Sequence, residues 1–147
     1  MSDPATLIEH SERLTDVFGA WPSFHDAEVV AIDLWRGDIR PERNSWVGAV
    51  LTAKIQVLEA TQPGATHSGN DTLATLRFHD IDRVHLHGFN HQNAILGLLF
   101  QHEIRGEGLP PFIRVHFQAA HGVDATFVCF RIEVLSAEPY SDATRGI

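Results

Sequence analysis

The sequence has few cysteines, few cations and no long apolar segment, and each shortage excludes a class of protein. Its 147 residues include one cysteine, Cys129, so no intramolecular disulfide framework can form. The longest apolar run, residues 94–100, falls far short of the ~20 residues that a membrane-spanning helix needs. No basic and apolar N-terminal segment indicates export. We therefore expect a protein of a reducing, cytoplasmic setting with no membrane contact.

The balance of charge argues against nucleic acid as a partner. Eleven Lys and Arg side chains stand against nineteen Asp and Glu, which gives a formal net charge of −8. Phosphate binding needs clustered cations, whereas these are spread along the chain. Residues 1–38 hold eight acidic and two basic residues, a net charge of −6. This acidic first quarter favours a basic protein partner.

One amphipathic helix is predicted near the N-terminus. Asp3 and Pro4 are typical of a helix start, and Gly19 is typical of a helix end, so we expect a helix over residues 4–18. The helical repeat of about 3.6 residues per turn places apolar side chains on one side of this helix and acidic side chains on the other. A solvated face explains such an acidic stripe as well as a binding surface does. The candidate partner-binding residues are the stripe and a carboxylate at the next strand's start: Glu9, Glu12, Asp16 and Glu28.

Alternating apolar and polar residues predict about seven strands. They are expected near residues 28–35, 46–59, 72–79, 83–87, 94–100, 112–118 and 124–135. In the last of these, the alternation turns Val128, Phe130, Ile132 and Val134 inward. The connections are short and contain no crossover helix, so the sheet should be antiparallel.

The predicted fold class is α+β and predominantly β, with a curled or sandwiched antiparallel sheet and one helix. A chain of this length fits a single domain over residues 1–147, which would bury roughly 70% of its unfolded surface. Residues 137–147 are expected to form a loosely packed tail.

A histidine pair raises the possibility of a metal site. His85 and His87 share one strand face, a spacing at which two imidazoles can hold one metal, and His91 follows closely. Paired histidines on a strand face are more often plain surface residues. A metal-binding β domain or metal-dependent enzyme that uses His85, His87 and His91 therefore stays an alternative hypothesis, and we expect no cofactor.

No complete catalytic motif is present. Cys129 lies between two apolar residues of a predicted core strand, where a thiol behaves as a small hydrophobe. The sequence has no nucleophile elbow and no Gly-rich phosphate loop. His25, Asp26 and Glu28 are residue types that an acid–base set uses, but the simpler interpretation is that Asp26 caps a turn and Glu28 faces solvent. We expect no catalysis.

Two short stretches are more specific than any of these signals. Residues 21–29 read WPSFHDAEV and residues 88–93 read GFNHQN, with a helix expected before the first and a strand before the second. In sequence, order and separation they resemble the immunity protein 50 family of bacterial polymorphic toxin systems. The resemblance implies a small, predominantly β cytoplasmic protein that neutralises a cognate toxin by binding it. It marks eight residues as structural or binding: Trp21, Phe24, His25, Asp26, Phe89, Asn90, His91 and Asn93.

A structural role explains these motif residues at least as well as a binding role. Trp21, Phe24 and Phe89 can each bury roughly 150–250 Å², and Asn90 and Asn93 can satisfy backbone groups of a turn. We therefore favour a local polar and aromatic support between helix and sheet. The remaining alternative is a self-associating structural domain, and the sequence leaves a homodimer open.

Overall fold

The computed structural model describes residues 4–40, 42, 45–58 and 71–140. A 3₁₀ turn, Pro4–Leu7, is followed by the one α-helix of the described residues, α1, Glu12–Phe18. The strands are β1 Ile8–Glu9, β2 Glu28–Trp35, β3 Asp38–Arg40, β4 Ser45–Val47, β5 Val50–Val57, β6 Thr72–His79, β7 Asp82–His87, β8 Ile95–Glu103, β9 Phe112–Ala119, β10 Asp124–Cys129 and β11 Arg131–Pro139. The predominantly β fold with one helix is confirmed, although the described residues form eleven strands rather than about seven.

Most strands belong to two sheets that do not close into a barrel. The five-stranded sheet has the order β1-β11-β6-β5-β2, and the four-stranded sheet has the order β7-β10-β9-β8. Every described pairing is antiparallel except the short one between β1 and β11. The β3–β4 hairpin extends the turn between β2 and β5. The predicted antiparallel, sandwiched arrangement is confirmed.

Three buried phenylalanines join the two sheets. Phe78 of β6 meets Phe127 of β10 edge to face, with ring centroids 5.0 Å apart, and lies 5.9 Å from Phe117 of β9. Such tilted and edge-on contacts add to the apolar area that each ring removes from water. One hydrophobic cluster therefore includes side chains of both sheets and of α1.

The helix is shorter than predicted. It begins at Glu12, because Ile8 is buried in the core and β1 pairs with Ile132 and Glu133 of β11. His10 then adopts a φ of 58°, which no helix continues through. The end was predicted correctly, since Gly19 has a φ of 84° and donates its N–H to the Thr15 carbonyl at 2.8 Å. The proposed cap Asp3 lies outside the described residues.

The last predicted strand is interrupted at Phe130. The four-stranded sheet contains β10 and the five-stranded sheet contains β11, so the chain changes sheets between Cys129 and Arg131. Phe130 is 46% exposed, and its predicted inward position is wrong. Ile132 and Val134 are buried in the core as predicted. Val128 is buried too, but the core side chains of β10 are Phe127 and Cys129 on either side of it, so Val128 lies on the opposite face and its predicted inward position is also wrong.

The C-terminal end of the described chain is paired. Strand β11 continues through Pro139, which lies opposite Thr72 of β6, and Ala137 packs against the core. The first three residues of the expected tail therefore belong to a strand, and residues 141–147 lie outside the described part. The single α-helix of the described residues, α1, has seven residues and cannot span a membrane.

Candidate functional site

The two motif stretches lie side by side, although more than sixty residues separate their starts. Asp26 donates its N–H to the Ile95 carbonyl at 2.9 Å, and Ile95 donates its own to Ala27 at 3.0 Å. Val29 donates to the Asn93 carbonyl at 3.0 Å. These backbone bonds join the start of β2 to the start of β8, one edge strand from each sheet. We call this region, residues 21–29 with residues 88–96, the junction.

Asn93 is the hydrogen-bonding centre of the junction. It is 2% exposed, and its Nδ2 donates to the carbonyls of Asn90 at 2.7 Å and Val29 at 3.2 Å. Its Oδ1 accepts from the N–H groups of Asn90 at 2.9 Å and Val123 at 3.2 Å. These four bonds use the full capacity of a side-chain amide. Asn93 thus supports the backbone of three segments and has no group left for a partner.

The Glu28 side chain also forms a hydrogen bond within the junction. Its Oε1 accepts the Asn93 N–H at 2.5 Å, and the residue is half-buried. The expectation that Glu28 faces solvent is therefore wrong. The carboxylate satisfies an amide that the turn leaves without a strand partner, and such a charge-assisted bond is stronger than a neutral one. Its place in a partner-binding surface stays a prediction.

A third segment, residues 120–123, also packs into the junction, and it was not among the residues predicted from the sequence. Ala120 and His121 both donate their N–H groups to the Ala94 carbonyl, at 2.9 and 3.0 Å. Gly122 has a φ of 80°, and a Cβ there would lie 2.1 Å from the Gln92 carbonyl oxygen. Only glycine fits so close a backbone approach. In the sequence, the only indication of this close contact was the isolated Gly122 between the last two predicted strands.

The aromatic residues of the first stretch pack inward. Phe24 is fully buried at a φ of 61°, an unusual conformation for a bulky residue. The half-buried Trp21 ring lies 5.7 Å from Phe24 and 6.3 Å from Phe100 of β8, between centroids. Ser23 caps the turn by accepting the His25 N–H at 3.1 Å. Trp21 and Phe24 thus connect the segment after α1 to β8.

The remaining motif side chains lie on the surface. Phe89 is 47% exposed, and His25, Asp26 and His91 are exposed too. His25 is held in place, with Nδ1 3.0 Å from the Leu96 carbonyl oxygen and Nε2 3.6 Å from the Asp26 carboxylate. The exposed Asn90 turns its side chain to the Gly88 carbonyl and the Gln92 N–H. The junction therefore exposes an aromatic ring, two imidazoles and a carboxylate at the protein surface.

The predicted acidic stripe is divided between two elements. Glu12 and Asp16 are exposed on α1, as expected. Glu9 lies instead on β1, where its carboxylate is 2.6 Å from Nε of Arg131. The single helical stripe is therefore wrong, because the chain pairs with β11 before the helix begins.

The histidines of β7 do not form a metal cluster. His85 and His87 are exposed on an edge strand, and no three His, Cys, Asp or Glu side chains of residues 4–40, 42, 45–58 and 71–140 are placed to hold a metal. Asp124, opposite His87, accepts the Ala119 N–H at 3.1 Å and lies 3.2 Å from His116. Burial raises the pKa of Asp124, but these hydrogen bonds and the nearby imidazoles together bring that pKa below its ordinary value.

Cys129 is a buried thiol of the core. It is fully buried, and this burial raises the pKa of its thiol to about 12. A neutral buried thiol neither attacks an electrophile nor binds a metal readily. Cys129 is a core side chain, as its apolar neighbours predicted.

The fold and the junction define a small two-sheet β protein whose buried polar groups hold its segments together. The sequence matches the Immunity protein 50 family over residues 10–140. The chain belongs to this family, and the resemblance seen in the two motif stretches is confirmed. Proteins of this class are generally non-enzymatic. No curated protein and no solved structure matches the chain.

Proposed function

We propose that this protein neutralises a cognate bacterial toxin in the cytoplasm by binding it directly, without catalysis of its own. Membership of the Immunity protein 50 family over residues 10–140 carries the proposal. An inhibitor of this kind works by equilibrium association, so it needs a stable scaffold and a complementary surface rather than reactive groups.

The acidic surface supports a basic toxin as the partner. The chain has a formal net charge of −8, and Glu12 and Asp16 are exposed along α1. Complementary potentials guide two proteins into encounter and raise the association rate. Glu9 contributes less to this field, because Arg131 already neutralises it.

The junction supports a second contact surface. Asn93 and Glu28 fix the turn that carries Phe89 and His91, so these exposed side chains need little ordering when they bind. Surfaces held rigid before binding lose less entropy on association. Exposed aromatic residues are also common among those that dominate binding energy.

Growth rescue in a bacterial host tests the proposal. A toxin domain encoded beside the gene is expressed with and without this protein, and we expect growth to stop without the protein and to recover with it. The double variant Phe89→Ala with His91→Ala should rescue less well, while Leu109→Ala should rescue fully. Leu109 is a suitable control, because its apolar side chain is at least as exposed as that of Phe89 but lies in the loop between β8 and β9. No rescue by the soluble, folded wild-type protein would contradict the proposal.

A further inference from the structure

An open groove lies on the outer face of the five-stranded sheet, at its β2 edge and outside the junction. Its volume is about 340 Å³, near the lower limit of ~300 Å³ for small ligand pockets. The residues that line it belong to β2, β4, β5 and β6. They are Asp33, Trp35, Val47, Val50, Thr52, Arg77 and His79.

Strand register builds the groove. Trp35 of β2 lies opposite Val50 of β5, and Val50 lies opposite His79 of β6. Residues directly opposite each other in an antiparallel sheet share a face, so these three form one row. Val50 is buried although it belongs to the outer face, and it therefore forms the floor between the Trp35 and His79 side chains.

The β3–β4 hairpin supplies one wall through Val47. Gly37, which leads from β2 into this hairpin, has a φ of 83°, and a Cβ there would lie 2.0 Å from the Val47 carbonyl oxygen. The close approach needs glycine and brings β4 back beside β2. Val47 is itself exposed, so the wall is apolar and open to solvent.

Most polar side chains of the groove already form hydrogen bonds or ion pairs within the protein. Arg77 donates from Nε to the Thr52 hydroxyl at 3.2 Å, and His79 Nε2 lies 2.7 Å from the Glu133 carboxylate. Asp33 is different, since no hydrogen bond or ion pair to its carboxylate is found in the described part of the chain. Trp35, two residues further on the same face, is 51% exposed. A free carboxylate thus stands beside a free aromatic surface.

We propose that this groove receives a lysine or arginine side chain of the toxin. The Asp33 carboxylate pairs with the cation, the face of Trp35 stacks on it, and Val47 and Val50 contact its aliphatic stem. Trp gives the strongest attraction of any aromatic residue to a cation. The inference deepens the proposed function and rests on it.

Two further observations favour a basic occupant over an acidic one. The chain's net charge of −8 attracts a basic partner, and an acidic group would meet the unpaired Asp33. The protein also uses the same kind of contact internally, since the Arg105 guanidinium carbon lies 5.4 Å from the Phe112 ring centroid and 5.3 Å from that of Phe130. Arg77 does not reverse this preference, because the Glu133 carboxylate lies opposite it on β11 and offsets its positive charge.

Titration calorimetry with matched variants tests the groove. The toxin domain encoded beside the gene is titrated into the full chain, and we expect Asp33→Asn and Trp35→Ala each to raise Kd at least tenfold. Leu34→Ala is the control, because Leu34 is also 51% exposed and precedes Trp35 on β2, but points to the opposite face. Its Kd should change less than twofold, and all three melting temperatures should stay near that of the wild type.

Fluorine NMR gives a second measurement that does not depend on substitution of the groove. The protein is labelled with 5-fluorotryptophan, and the Trp35 resonance is assigned as the one of three that remains in both the Trp21→Phe and the Trp46→Phe variants. The Trp35 resonance should shift on complex formation. A wild-type complex with an unshifted Trp35 resonance and an unchanged Kd for both variants would overturn the groove proposal and leave the proposed function intact. If no complex forms at all, both proposals are wrong.

Discussion

The carboxylate of Glu28 accepts the backbone N–H of Asn93 at 2.5 Å, and this bond joins the two stretches that mark the family. Glu28 begins β2 of the five-stranded sheet, while Asn93 stands just before β8 of the four-stranded sheet. The contact therefore connects the sheets at one corner. It also holds the turn that carries Phe89 and His91.

Asn93→Ala should destabilise the protein by roughly 2–4 kcal/mol, because it removes four hydrogen bonds and leaves buried backbone groups unsatisfied. Asn90→Ala should lower the free energy of unfolding by about 1 kcal/mol or less, since the Asn90 side chain is exposed and water can replace its bonds. Urea unfolding of the two variants makes the comparison. Equal losses would show that the junction does not depend on Asn93.

Phe127→Ala should reduce the free energy of unfolding by roughly 3–5 kcal/mol, as expected for a buried ring between two sheets. Phe130→Ala should reduce it by only about 1 kcal/mol, because that ring is half exposed and loses mainly its contact with Arg105. Denaturant unfolding measures both. A loss above about 3 kcal/mol for Phe130→Ala would restore the inward position that the sequence predicted.

Glu133 should contribute to stability against acid. Burial raises the pKa of Glu133, but the hydrogen bond with His79 and the charges of His79, Arg131 and Arg77 outweigh it, so the net pKa is lowered. Because the folded-state pKa is below the unfolded one, the contribution is complete above the ordinary value of ~4.3 and disappears as pH falls through the folded-state pKa.

Glu133→Gln should therefore be less stable than the wild type at pH 7 and lose less stability between pH ~5 and ~3. Thermal unfolding across this range measures the difference. Glu138→Gln is the control on the same strand, because Glu138 is exposed and forms no ion pair in the described part of the chain. If Glu133→Gln and the wild type lost the same stability between pH ~5 and ~3, Glu133 would not contribute to stability against acid.

The exposed carboxylates of α1 should govern the association rate with the toxin. Glu12→Gln with Asp16→Asn should slow association about threefold at low salt, with less change at high salt, because charge steering is screened. Glu107→Lys is the control, since it changes the net charge by the same amount but lies in the loop between β8 and β9. Stopped-flow mixing measures the association rates. If both variants slowed association equally, the rate would depend on net charge alone and not on the position of the α1 carboxylates.

Local alternation predicted the parts of the fold that depend on one strand at a time. Leu51, Ala53, Ile55 and Val57, the alternate apolar residues of β5, are all buried, and Gly19 ends the helix. The errors arose where distant segments determine the structure. Ile8 pairs with β11 instead of extending the helix, and the chain changes sheets at Phe130. Alternation within one segment carries no information about either event.

The candidate site was predictable in composition but not in arrangement. The two motif stretches named Asn93 and Phe89, yet the bond from Asn93 to Glu28 joins residues 65 positions apart. The part played by Gly122 also depends on a backbone contact with Gln92 across the junction. Such contacts are fixed by the packing of the sheets, which a single sequence does not reveal.

Titration calorimetry of the purified wild-type protein with the toxin domain encoded beside its gene tests the central claim most directly. We expect a saturable complex of defined stoichiometry, with Kd on the order of nanomolar, as is typical of specific protein inhibitors of standard interface size. The complex should abolish the activity of the toxin in the same sample. A folded protein and an active toxin domain that show no binding heat and no inhibition at micromolar concentrations would contradict the account.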